Sequence, residues 1–112
     1  MTYELTVHPF QMGTDKEAAV KLLEEAAESF GAWQELERSI AWSLEQCEPG
    51  PDIRMNVEDG VMDVVEADED NLADELADTI QAACNLADRY DIDLQAAMER
   101  CERRNRERGR YE

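Results

Sequence analysis

Thr14-Asp15-Lys16-Glu17-Ala18-Ala19-Val20-Lys21-Leu22-Leu23-Glu24-Glu25-Ala26-Ala27-Glu28-Ser29-Phe30 is the stretch on which the fold turns. Thr14 and Glu17 stand three apart, the capping-box spacing in which each side chain satisfies a free amide at a helix start. Behind them Ala19, Val20, Leu23, Ala27 and Phe30 recur at helical spacing. Ala32, Trp33, Leu36, Ile40, Ala41 and Leu44 carry a similar pattern to about Cys47, with a kink or restart expected at Gly31.

Outward from this helix, Pro49-Gly50-Pro51 is a stop signal. Ile53, Met55 and Val57 alternate with polar residues, Asp59-Gly60 is a tight-turn pair, and Val61, Val64 and Val65 follow, so a small β-hairpin is expected over 53–65. Asp68-Glu69-Asp70 places negative charge where the dipole of a second helix would favour it, and Leu72, Leu76, Ile80, Ala83, Ala87 and Tyr90 supply that helix with an apolar stripe. Asp93 is a cap for a last helix carrying Leu94, Ala97, Met98 and Cys101. Residues 1–13, closed by Pro9 after a short alternating run, read as an extended arm. The fold class is therefore all-α, one domain over 1–112. It has an inserted loop or hairpin at 48–70 and an arginine-rich end at 100–112.

A chain of 112 residues buries a limited fraction of its surface, so an antiparallel helical bundle of this size is expected to be completed by oligomerisation. Acidic residues outnumber basic ones 28 to 11, a formal charge of −17, which argues against a nucleic-acid polymer or an anionic membrane as partner. The imbalance is local. Lys16, Lys21, Arg38, Arg54 and Arg89 are the only bases before residue 100, whereas Arg100, Arg103, Arg104, Arg106, Arg108 and Arg110 crowd the end. Cys47, Cys84 and Cys101 are odd in number and lack the Cys-x-x-Cys pairing of a zinc knuckle, so reduced thiols are expected. No secretion signal opens the sequence and no apolar run approaches the roughly 20 residues of a membrane span. A cytoplasmic protein is expected.

The chemistry lies in carboxylates. Lys21, Glu25, Glu28 and Ala32 share one face of the first helix, and Glu75, Asp78, Ala82, Asn85 and Arg89 share one face of the second. Either pair alone is ordinary dressing of a solvated helix. Two pairs beside apolar stripes, on helices that pack antiparallel, would bring four carboxylates together, and hard oxygen ligands of this kind suit Mg²⁺, with Mn²⁺ as substitute. Such ions would also join an acidic protein to an anionic substrate.

These residues resemble a known family. Lys21-Leu22-Leu23-Glu24-Glu25-Ala26-Ala27-Glu28 resembles the Lys-x-x-Glu-Glu-x-x-Glu signature of MazG-like nucleotide pyrophosphohydrolases, and Asp74-Glu75-Leu76-Ala77-Asp78 resembles their Glu-x-x-Asp signature. Asn85-Leu86-Ala87 and Ile92-Asp93-Leu94 resemble pieces that follow in that family, with Asp91 where it has glycine. The similarity covers 16–33 and 72–110. It departs in a longer spacer between the carboxylate pairs and in Glu102 and Arg104, where the family often has Asn and Lys.

The resemblance implies an all-α enzyme that hydrolyses a nucleoside triphosphate, ribo or deoxy, to the monophosphate and pyrophosphate, with Glu25, Glu28, Glu75 and Asp78 as metal ligands. Glu24 is the candidate for orienting or deprotonating the attacking water, against a plain surface role. Lys21 and Arg104 are candidate phosphate contacts, each with a surface ion pair as the alternative. Asn85 addresses either the sugar or base of the substrate or a structural bond between helices. Trp33 and Trp42 are either stacking or packing residues, and the lone His8 has no metal role. A homodimer or homotetramer is expected. The competing reading is a non-enzymatic acidic helical module for oligomerisation or interaction.

Overall fold

The computed structural model describes residues 1–46 and 59–112, with side chains in the second segment from residue 62 onward. Among the described residues three helices follow the arm: α1 over Asp15–Gln46, α2 over Asp59–Arg89 and α3 over Leu94–Glu107. There is no strand among the described residues. The start of α1 is the expected capping box: Thr14 N donates to Glu17 Oε2 at 2.9 Å and Glu17 N to Thr14 Oγ1 at 3.1 Å. Asp93 caps α3 by accepting from Ala96 N at 3.0 Å. Between α2 and α3 the chain turns through Asp91, whose φ of 51° is left-handed. A short polar side chain tolerates that region better than a branched one.

Three local expectations are corrected. Helix α1 runs unbroken through Gly31 rather than restarting there, and an added Cβ at that position would meet nothing within 4 Å, so the glycine weakens the helix without ending it. Helix α2 starts at Asp59 and takes in Asp68-Glu69-Asp70. The part of the expected 53–65 hairpin from Asp59 onward is therefore helical: Asp59-Gly60 opens a helix rather than turning a hairpin, and Val64 and Val65 sit on it. The remainder of that hairpin, the Pro-Gly-Pro stop and Cys47 lie outside the described residues.

Helices α1 and α2 pack along their length in antiparallel sense. Ser29 Oγ meets Thr79 Oγ1 at 2.9 Å, and further up α1 the Ser39 hydroxyl donates to Asp68, further back on α2. The seam is made of small and polar residues. Ala18, Glu25, Ala32 and Ser43 are the buried positions of α1, and Val65, Ala82, Asn85 and Ala87 those of α2. The stripe read as the apolar face of α1 points elsewhere: Leu23 is 70% exposed and Phe30 58% exposed, with Val20 also exposed. The carboxylate face, not the leucine face, is turned toward the second helix.

The arm is tied across this pair. Phe10 N donates to Asn85 Oδ1 at 2.9 Å, and Gln81 Nε2 donates to His8 O at 3.0 Å. At its junction with α1, Arg89 donates from Nε to Asp15 Oδ1 at 2.7 Å, from Nη1 to Met12 O, and from Nη2 to Gly13 O at 3.3 Å. The guanidinium also holds the Asp15 carboxyl below its ordinary range.

Candidate metal centre

Because the polar face of α1 lies in the seam, Glu25 is only 6% exposed although it is a carboxylate. One of its oxygens is compensated: Lys21 Nζ, one helical turn earlier, lies 2.8 Å from Oε1. Across the seam α2 presents Glu75, so that Glu25, Glu28 and Glu75 bring one carboxylate oxygen each to within 4.8 Å of one another. Glu25 Oε2 and Glu75 Oε2 are buried with no hydrogen-bond partner. Buried polar atoms are normally paired, and an ionised oxygen left unpaired carries its full desolvation cost. A divalent cation is the partner that would satisfy several such oxygens at once, and an all-carboxylate donor set matches the hard ions Mg²⁺ and Mn²⁺. The donor set thus fits the cation.

Electrostatics follow the same geometry. The Lys21 hydrogen bond, with its charge, draws the Glu25 carboxyl below its ordinary range, and the same contact raises Lys21. Glu28 moves the opposite way, because the negative charge of Glu25, the hydrogen bond with it, burial and the charge of Glu75 all favour a proton there. Three ionised carboxylates with one lysine leave two negative charges uncompensated.

A stability consequence follows, with opposite signs for the two glutamates. Glu28, raised in the fold, stabilises it below the ordinary glutamate value, and that contribution fades as pH rises through its raised value. Glu25, depressed, stabilises it above the ordinary value and loses that contribution only as pH falls through its lowered one. Between the ordinary value and the raised one, protonating Glu28 therefore strengthens the metal-free fold while Glu25 stays charged. Thermal melts in chelator at successive pH values are expected to show a gain in that window. Glu28→Gln should flatten it, and an unchanged gain in the variant would place its source in other acids.

The remaining expected site residues distribute as follows. Asp78 is outside the three-carboxylate group but borders an adjoining cavity with Lys21 and Glu25. Glu24 stands apart, 56% exposed at its side chain and 4.0 Å from Lys21 Nζ. Asn85 is buried, its Oδ1 accepting from Phe10 N and from Gln81 Nε2 at 2.9 Å. Half of its amide is therefore structural. Arg104 is exposed on α3, and the charges that shift Glu25 and Glu28 do not include it. Phe30 and Trp33 stack on each other with centroids 5.6 Å apart, both exposed. Sequence reasoning missed Gln81, which lies on α2 itself, and Phe10 and Met12, which meet the site only because the arm folds back over α2; the alternating run at the N-terminus gave no sign of where it would dock.

No family model matches the chain, and neither a curated protein nor a solved structure matches it. No helix among the described residues is long and apolar enough to cross a membrane.

Proposed function

We propose that this chain is a MazG-like nucleoside triphosphate pyrophosphohydrolase that works with Mg²⁺, cleaving an NTP or dNTP to the monophosphate and pyrophosphate. The observation that carries the reading is the pair of buried, unpartnered oxygens on Glu25 and Glu75 within a three-carboxylate group. The signature spacing around Lys21 and Glu75 supports it, since both pieces fall on facing stretches of α1 and α2. Glu25, Glu28 and Glu75 would hold the cation, with Asp78 joining them from the next turn of α2. The cation supplies neutralisation of phosphate charge and activation of water.

The protein's own groups do the rest. Lys21, pinned to Glu25, offers its ammonium to a phosphate oxygen at the edge of the site. Glu24, exposed beside it, would be the group that accepts the proton of the attacking water. The Asn85 amide nitrogen is its remaining group for sugar or base. Arg104 and its neighbours on α3 are the reserve of positive charge for the departing pyrophosphate. The same reading places the protein in the cytoplasm, clearing or controlling a nucleotide pool.

A homo-oligomer, dimer or tetramer, is part of the proposal. The chain exposes 8760 Å², against about 6,300 Å² for a compact monomer of this mass. The excess is well above the roughly 800 Å² that each partner buries in a standard interface. The exposed Leu23, Phe30, Trp33, Leu76 and Ile80 are also what favours the second reading, an acidic helical interaction module without catalysis.

Incubation with a panel of ribo- and deoxynucleoside triphosphates and Mg²⁺, with products separated by chromatography, decides between them. Monophosphate plus pyrophosphate is expected, lost in Glu28→Ala and Asp78→Ala. No turnover of any nucleotide by folded protein would leave the interaction module standing.

A further inference from the structure

Beside the carboxylates lies a cavity of about 180 Å³ bordered by Lys21, Glu25 and Asp78 on one side and by Phe10 and Met12 of the arm on another, with Gln81, Ala82 and Asn85 completing it. Sites that enclose whole drug-sized ligands run to roughly 300–1,000 Å³, so this one has room for part of a nucleotide, on the order of a single ring system. We propose that the arm is the recognition wall for the base of the substrate, with Phe10 as the stacking face. The inference rests on the nucleotide reading above and adds the element that selects among nucleotides.

Three observations carry it. Phe10 is an aromatic side chain left 55% exposed on an arm that is nonetheless fixed in place, since its own backbone N–H is bonded to Asn85 Oδ1. A ring held at a cavity mouth and not used for packing is available to a flat ligand. The hydrogen bonding around it also fixes how the two amides are oriented. The Phe10 N–H can only donate, so the Asn85 atom facing it is the carbonyl oxygen. Gln81 faces two acceptors, His8 O and Asn85 Oδ1, so its amino group is committed to both. What remains to address a ligand is the Asn85 amino group, a donor, and the Gln81 carbonyl, an acceptor.

A donor and an acceptor beside a stacking ring match the edge of a nucleobase, which presents both kinds of group. Glu25 belongs to the cavity and to the carboxylate group alike, and Lys21 borders the cavity while pairing with Glu25, so a base seated against Phe10 has its phosphates next to the cation site. Arg89 is the positioning residue of the arrangement, because its bonds to Asp15, Met12 and Gly13 set where the arm leaves α1.

The test is binding rather than turnover. Calorimetric titration with Mg²⁺ uses α,β-methylene triphosphates of the common ribo- and deoxynucleosides as one probe and inorganic tripolyphosphate, which has no base, as the other. Phe10→Ala is expected to weaken the best nucleotide by about 5- to 150-fold while leaving tripolyphosphate within about twofold, and Phe10→Tyr should restore nucleotide binding. Nucleotide affinity unchanged in Phe10→Ala overturns the inference and leaves the nucleotide reading intact. Equal loss of both probes also overturns it, since Phe10 would then be serving the fold or the assembly. Failure of the wild-type protein to bind any nucleotide removes the nucleotide reading itself, and the inference with it.

Discussion

Glu25→Gln and Glu75→Gln proteins are expected to lose turnover by at least about a hundredfold, since disturbing even the outer shell of a metal site costs 10–100-fold, and Glu75→Gln is expected to melt no lower than wild type in chelator. Glu25 is buried, and each glutamate leaves an oxygen without a partner. At Glu75, exchange for an amide of the same shape removes a negative charge that repels Glu28. Glu25→Gln, by contrast, gives up the Lys21 contact that holds Glu25 charged, and it should melt lower than wild type. In wild type, Mg²⁺ at a hundred times its dissociation constant stabilises the fold by about 2.7 kcal/mol, roughly ten degrees of melting temperature for a chain this small. That gain should vanish in both variants. A fall of several degrees in chelator for Glu75→Gln would instead assign that carboxylate to holding the helices together.

Phe30→Asp is expected to have the second large effect, on assembly. Leu23, Phe30 and Trp33 stand exposed on α1, and Leu76 and Ile80 on α2, in a chain with no large side chain fully buried among the described residues. The Cα radius of gyration of 18.6 Å compares with about 13 Å for a compact domain of this length. A helix pair this open has little hydrophobic stabilisation of its own, and burying one Phe or Leu side chain contributes about 1.5–3 kcal/mol. A charge in the middle of the stripe should convert an oligomer to monomer and lower the melting temperature sharply, read by light scattering and calorimetry. Wild-type protein that is already monomeric in solution, or a variant that assembles unchanged, would sink the proposed oligomer.

The helical class was legible because caps and periodicity are local: Thr14 with Glu17 and Asp93 with Ala96 each act within one turn. The face that pairs was harder to read. Leucine spacing pointed to Val20, Leu23 and Phe30 as the inward side, but in the single chain that side is exposed and the polar one is covered. Periodicity reports which residues prefer to be hidden without reporting by what. The hairpin expectation failed at Val64 and Val65 because β-branched residues have only a weak bias, which a long helix packed on a neighbour overrides. Glu25, Glu28 and Glu75 were visible as candidates from spacing alone, and their meeting depends on the antiparallel register of α1 and α2. The cavity beside them was not visible, because its Phe10 comes from sequence 75 residues away from its Asn85 anchor.

The arm's attachment to the helices is largely through its main chain: His8 O, Phe10 N, Met12 O and Gly13 O are engaged, with the Gln11 side chain adding longer bonds to Asp88 and Arg89. Anchors of this kind are indifferent to the side chains they carry. Residues 8–12 can therefore exchange Phe10 or Met12 for other shapes without losing their seat on Asn85, Gln81 and Arg89. Adaptation to a new ligand would then proceed by substitutions in one short segment, with the carboxylates and the helices that hold them left alone.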